Sequence, residues 1–198
     1  MIISPREAVK KEWIKFPSTY TIKQGLVNID KNVDPEQYIQ QNGIDIPVSR
    51  IFSLDEISVG ILSDEKRIYK STLEINPNHN ISSDETIIDN CYKITSQKVY
   101  DWCSDFELVL PDDVCALIIV RSSLNRIGGT INTGNYDSGY QGLIGGTLTS
   151  RAGTIFIQHY TRIAQIMFYQ AVSDKLYNGV YQNTSQSHWQ EGLQNGKN

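Results

Sequence analysis

Cationic charge and cysteine are both scarce in this chain. Lys and Arg number 18 against 22 Asp and Glu, a formal net charge of −4, whereas a nucleic-acid binder ordinarily offers phosphates a basic surface. Cys91, Cys103 and Cys115 are an odd number at wide spacing with no CxxC pair, so they read as small semi-buried hydrophobes, not as a disulfide or zinc site. His79, His159 and His188 are equally scattered, and neither H-x-E nor P-C-x-x-C occurs. That removes a zinc-dependent nucleotide deaminase. No apolar run approaches the roughly 18 residues that cross a bilayer, and the first residues lack a signal-like apolar block. The expectation is a cytoplasmic protein with no nucleic-acid and no membrane partner.

What is present suffices for one folded domain: 198 residues, 39% hydrophobic and 20% charged. Ser4-Pro5-Arg6-Glu7 reads as a capping box, and Ala8, Val9, Trp13 and Phe16 give the stripe of a short helix ending near Pro17. A second short helix is expected from Asp34-Pro35 to Gln41. Elsewhere the pattern turns to short β-branched runs, TYTIKQ, GIDIPVSRIF, FELVLP, CALIIVR, GLIGGTLT, TIFIQH and RIAQIMFY, punctuated by Gly, Asn, Asp and Pro. Many short strands without long helices predict an all-β barrel or sandwich. The expected organisation is one β domain over residues 1–182 with inserted strands or a hairpin at about 56–100, then a polar tail, 183–198, mobile without ligand.

The densest signal is residues 121–142, RSSLNRIGGTINTGNYDSGYQG. Arg121 follows the apolar strand directly and offers a planar fork to phosphate oxygens, while Ser122 and Ser123 add donors that can follow developing charge. The TINTG stretch, 130–134, suits a β-hairpin with accessible backbone groups, though a plain solvent-exposed hairpin explains any one of its residues equally well. Asp137 taken alone is a turn residue before Gly139, and Tyr140 alone is an ordinary core residue among 11 tyrosines.

The order of the motifs says more. N-G-I-D-I at 42–46, E-x-x-L-P at 107–111, RSSL with R-x-G (Arg126, Gly128), TINTG, D-x-x-Y-x-G and R-I-A-Q at 162–165 resemble the trimeric dUTPase and dCTP deaminase superfamily. The match covers roughly residues 42–54 and 106–182, about half of the chain, and Tyr160 replaces the usual glycine ahead of R-I-A-Q. The resemblance implies a distorted, jelly-roll-like β-barrel, assembled as a homotrimer whose sites lie between subunits. It implies that Asp137 deprotonates the water attacking the α-phosphorus, and that Tyr140 stacks on the deoxyribose and excludes a 2′-hydroxyl. Asn132, Thr133 and Gly134 would accept the pyrimidine, Arg121, Ser122, Ser123 and Arg126 the phosphates. Gln165 would reach the phosphates or the waters of a bound metal, and Asp45 would be structural. Mg²⁺ is implied as cofactor, held through phosphates and waters with no direct protein ligand.

Two branches of the superfamily diverge at one position. The deaminase branch needs a Glu ten residues after the motif Asp, and this chain has Thr147 there. The N-terminal helix and the YNGVYQ ending are deaminase-like, and the Gly-rich, Phe-containing closing arm of ordinary dUTPases is missing. Tyr177, Tyr181, Gln182 and Trp189 could form a different lid. The expected activity is therefore dUTP diphosphatase, dUTP and water to dUMP and pyrophosphate. The alternatives are a dCTP deaminase, including a dUMP-forming one, a hydrolase of another pyrimidine deoxynucleoside triphosphate, and a non-catalytic nucleotide-binding trimer.

Overall fold

The computed structural model describes residues 1–24, 27–64, 66–83, 86–179 and 181–183. Trp189, His188 and the rest of the tail from residue 184 lie outside the described residues. In chain order the first strands are β1 (Ile2–Ile3), β2 (Ile14–Lys15), β3 (Thr19–Gln24), β4 (Val27–Asn32), β5 (Ile44–Pro47) and β6 (Arg50–Leu54). Next come β7 (Ile61–Leu62), β8 (Arg67–Ile68), β9 (Thr72–Ile75), β10 (His79–Ser83), β11 (Thr86–Ile94) and β12 (Val99–Val109). The last are β13 (Val114–Val120), β14 (Gly129–Asn132), β15 (Asn135–Tyr136), β16 (Gln141–Ser150), β17 (Ile155–Gln158) and β18 (Arg162–Gln170). Among the described residues the α-helices are α1 (Pro5–Lys10) and α2 (Ser122–Arg126).

Two sheets build the domain. One runs β1-β18-β13-β15 with β5 also on β18; the other runs β14-β16-β12-β6-β9 with β2 also on β12. Their inward faces share one core, in which Ile44, Ile46, Ala116, Ile166 and Phe168 from the first sheet meet Trp102, Phe106, Leu108, Ile144 and Leu148 from the second. The alternation along β13, with Val114, Ala116 and Ile118 in and Leu117 and Ile119 out, is the two-residue period of a half-buried strand. The result is an all-β, distorted barrel-like fold in which the sheets do not close. Residues 56–100 contribute β9 to the second sheet, the β7–β8 hairpin, and β10 and β11, which form a third sheet in the order β10-β11-β17.

Three local expectations differ from the structure. The first helix stops at Lys10, because Glu12 takes a left-handed φ of 56°. The Trp13 N–H then donates to Ala8 O at 2.9 Å and the Glu12 N–H to Val9 O at 3.0 Å, a Schellman closure. This releases Ile14 to pair in β2, facing Leu108. Ser4 is the N-cap but its side chain makes no capping bond, and Glu7 pairs instead with Lys11 at 3.0 Å. The second helix shrinks to a single 3-10 turn, Pro35–Gln37, capped by Asp34, because Tyr38 and Ile39 are drawn toward β5 through Asp45 N–H to Tyr38 O at 2.8 Å and an Ile39–Ile44 bridge. The TINTG stretch is not a hairpin: β14 pairs with β16 and β15 with β13, so residues 133–134 cross from one sheet to the other.

Candidate active site

That crossover borders a cavity of about 510 Å³ on the outward face of the second sheet. Asn132, Thr133, Gly134, Tyr140 and Tyr181 line it, with Tyr136 and Tyr177 completing an aromatic wall. The Thr133 hydroxyl anchors the crossover by donating to Ile118 O at 3.1 Å. Gly146 allows the approach, since a Cβ there would stand 2.6 Å from Asn132 O and 2.7 Å from Thr133 Cγ2. Burial pushes the phenols of Tyr136 and Tyr181 well above their ordinary 10.0, so both remain neutral.

Asp137 heads the turn that leads into β16. It is exposed, and Asn135 Nδ2 donates to its Oδ1 at 2.7 Å. Its neighbours Asn135 and Tyr140 face the cavity. The turn is closed by Tyr140 N–H to Asp137 O at 3.0 Å, and Gly139 meets a requirement for φ of 81°. Tyr140 presents its ring to the cavity while its hydroxyl donates to Leu143 O at 2.6 Å. The C-terminal segment clasps this turn. Tyr177 N–H donates to Ser138 O at 2.8 Å, Gln182 Nε2 to Gly139 O at 2.9 Å, and Gln141 N–H to Gln182 Oε1 at 3.1 Å. The Tyr177 ring meets Tyr140 edge-on, centroids 5.2 Å apart. Gln182 thus holds the turn from behind the cavity wall.

A second cluster lies apart, on the first sheet. Arg121, directly after β13, is the N-cap of α2, with Ser122, Ser123 and Arg126 exposed on that helix. Arg121 Nη1 donates to Arg162 O at 3.0 Å, and its Nη2 stands 3.3 Å from Asp45 Oδ2. Arg162 Nη1 approaches the same oxygen at 3.7 Å, and Gln165 Nε2 donates to Asp45 Oδ1 at 3.3 Å. Asp45 is 1% exposed, and its Oδ2 has these ion-pair contacts without a well-aligned hydrogen bond. Burial raises its carboxyl above the ordinary 3.8, opposed by Arg121, the Gln165 amide and Arg162. Tyr160, in the usual glycine place, holds a left-handed φ of 64° and stacks on Tyr20 with centroids 3.8 Å apart. The ring contact offsets part of the strain of that conformation.

Arg121, Ser122, Ser123, Arg126, Asp137, Gln165 and Gln182 are not among the residues lining the cavity, whereas Asn132, Thr133, Gly134, Tyr140 and Tyr181 are. The fold adds Thr147 and Asp101 to its lining. The run FELVLP predicts a strand start at Phe106, whereas β12 begins at Val99 and so carries Asp101 into the sheet.

The chain matches the dCTP deaminase-like family over residues 18–171. It is 36% identical over 156 residues to a deoxyuridine 5′-triphosphate nucleotidohydrolase of Methanocaldococcus jannaschii, covering 78% of this chain and 92% of that one. Among solved structures it superposes on the 2′-deoxycytidine 5′-triphosphate deaminase of Agrobacterium tumefaciens with a TM-score of 0.58 at 14% identity. That superposition covers 86% of this chain and 48% of the other, so the chain spans about half the deaminase's length and the likeness is one of fold. On the family match and the archaeal relative together, this chain belongs to the dCTP deaminase-like family.

Proposed function

We propose that the protein is a dUTP diphosphatase, hydrolysing dUTP to dUMP and pyrophosphate. One observation carries the reading: the turn bearing the exposed Asp137 is continuous with the tyrosine-walled cavity, while Thr147 stands where deamination would require an acid. A threonine hydroxyl does not exchange protons as an acid or base at neutral pH. The 36% identity to an archaeal enzyme named for dUTP hydrolysis supports the same branch.

In this reading the pyrimidine enters between the crossover residues Asn132–Thr133–Gly134 and the tyrosines, with its sugar against the Tyr140 ring. Asp137 accepts a proton from a water as its oxygen attacks the α-phosphorus. The new P–O bond forms as the bond to the bridging oxygen of the β-phosphate breaks, and pyrophosphate leaves. Arg121, Ser122, Ser123 and Arg126 donate to phosphate oxygens. They come from a neighbouring subunit of a homotrimer, which would bring the two separated clusters together. Leu117 and Ile119, 39% and 41% exposed on the outer face of the first sheet beside Gln165, supply apolar surface for such a contact.

The donor set suits Mg²⁺ bound through substrate. Among the described residues no group of three or more His, Cys, Asp and Glu side chains forms a protein cage. Gln165 spends its Nε2 on Asp45, which leaves Oε1 as the side that accepts from metal-bound waters. When bound, Mg²⁺ would neutralise charge on the departing pyrophosphate. The compartment proposed is the cytoplasm; among the described residues no helix is long and apolar enough to cross a membrane. The test is incubation of the purified protein with dUTP, dCTP or dTTP and Mg²⁺, with chromatographic separation of products. Conversion of dUTP to dUMP and pyrophosphate is expected; no pyrophosphate from any of the three would refute the assignment.

A further inference from the structure

A second cavity, of about 610 Å³, shares no lining residue with the candidate active site. Apart from Ser49 and His159, its lining comes from outside residues 42–54 and 106–182, where the family motifs fall: the β3–β4 hairpin, the stretch 74–80 and β11. Five asparagines, Asn28, Asn76, Asn78, Asn80 and Asn90, dominate it, beside the carboxylates of Glu74 and Asp89. No lysine or arginine lines it among the described residues. Burial lowers the pKa of His159 below its ordinary 6.5, and its Nε2 stands 3.0 Å from Ser49 O, which can only accept. The ring is therefore neutral at pH 7 and donates to that carbonyl.

A β-bulge shapes this cavity. The β10–β11 register passes from His79 opposite Cys91 to Ile81 opposite Ile88, so Asp89 and Asn90 together face Asn80. All three line the cavity. Asn90 holds a left-handed φ of 59° and is 8% exposed, and among the described residues its carboxamide makes no hydrogen bond. Its backbone O accepts from the His159 N–H at 2.8 Å, which fixes the bulge against the turn after β17. A buried carboxamide without a protein partner is costly unless a ligand or water supplies one. Asn90 and His159 also border an adjoining recess of about 220 Å³, which the stacked rings of Tyr20 and Tyr160 line as well.

We propose that this cavity is a second ligand site, for an uncharged, hydroxyl-rich molecule of monosaccharide to disaccharide size. Donors and acceptors decide the class. A carboxamide presents both an NH₂ and a C=O, and a hydroxyl likewise donates and accepts. An ammonium ligand only donates and would leave the NH₂ groups unpaired. A phosphate only accepts, and would face Glu74 and Asp89 with no lysine or arginine in the lining. A sugar pairs with both ends of each carboxamide, and its apolar C–H face suits the tyrosine rings of the recess. The same balance turns away a nucleoside triphosphate, so this site is independent of the one proposed for hydrolysis.

Saturation-transfer NMR on the purified protein tests this, with glucose, galactose, N-acetylglucosamine, sucrose and maltose as probes and spermidine and inorganic phosphate as charged comparisons. The expected result is transfer to at least one sugar at millimolar concentration, undiminished by excess dUTP in EDTA. Asn90→Gly keeps the left-handed backbone, which glycine adopts freely, and removes the carboxamide. The Kd of that sugar should rise about tenfold in this variant, while dUTP turnover stays as in the wild type. Asn78→Ala, at an exposed position, should weaken the sugar in the same direction, and it carries the test if Asn90→Gly does not fold. No transfer to any of the sugars, an unchanged Kd in the folded variants, or displacement by dUTP would each overturn the proposal. Tighter binding of spermidine or phosphate than of every sugar would overturn it as well.

Discussion

The cavity on the second sheet and the arginine cluster on the first are built on opposite principles. The cavity is walled by five tyrosine rings, with polar side chains such as Asn132, Thr147 and Asp101 between them. The cluster gathers two guanidiniums and an amide about a single buried carboxylate, with exposed hydroxyls beside it on α2. The first can hold a flat, largely apolar group and distinguish its edges; the second can hold concentrated negative charge. A deoxynucleoside triphosphate needs both, and one chain keeps them apart. The separation itself argues for a shared site, because neither half alone offers what the whole substrate presents.

The largest expected effect falls on the turn that borders the cavity. Asp137→Asn keeps the volume and the Asn135 neighbour but removes the proton acceptor, so turnover should fall by at least about 100-fold with substrate binding retained. Steady-state kinetics alongside equilibrium binding would check this. Near-wild-type turnover would take Asp137 out of the mechanism and leave the cavity as a binding surface only.

The comparison can be broken directly by putting one defect in each half. Asp137→Asn and Arg121→Ala should each be nearly inactive alone. Co-expressed in equal amounts, they should assemble mixed trimers in which about a quarter of the sites combine an intact turn with an intact arginine from a different chain. Recovery of activity toward that fraction is the expected result, together with a sedimentation mass near three chains. Failure of the mixed sample to exceed either parent would place both halves of each site in one chain and contradict the shared-site arrangement.

A smaller effect concerns the sugar. Tyr140→Ala should narrow the preference for dUTP over UTP by about tenfold, chiefly through weaker dUTP binding, since the ring that fills the 2′ position is gone. Tyr140→Phe removes the hydroxyl that donates to Leu143 O but keeps the ring, and should keep the preference. Competition kinetics with both nucleotides would decide; unchanged discrimination in Tyr140→Ala would mean that another group reads the sugar.

These tests also bear on what could be seen in the chain before folding. The β class was legible because alternation in runs such as CALIIV and RIAQIMF survives in β13 and β18 as an inward and an outward face. Short-range motifs were legible too: the D-S-G-Y turn and the R-S-S start of α2 are local in sequence. What sequence could not show was pairing at a distance. The crossover at residues 133–134 looks like a hairpin until the partners of β14 and β15 are known, because Gly and Asn permit either path. Asp101 becomes notable only when the register sets it opposite Thr147. Glu12 is a poor left-handed residue by type, and it ends α1 because burial of Ala8 and Trp13 on either side fixes the path of the chain.

The smallest effect sharpens the contrast from the side of the cluster. Asp45 is the only carboxylate among the Arg121, Arg162 and Gln165 contacts described above, and burial holds its pKa above the ordinary 3.8 despite both arginines. A carboxyl raised in this way binds more protons in the native state than in the unfolded one. Stability therefore falls as pH rises from about the ordinary value through the raised one. Asp45→Asn has no such titration. The stability difference between wild type and variant should move in the variant's favour as pH rises through that window, and then level off. Urea unfolding at several pH values from acid to neutral would measure it. Function should respond differently: with the Asp45 charge gone, Arg121 loses its guide, and KM should rise a few-fold while kcat holds. A difference that moved in the wild type's favour with rising pH would show that the two arginines outweigh burial. The cluster would then be a net stabilising ion-pair network, and not a phosphate site maintained at some cost to the fold.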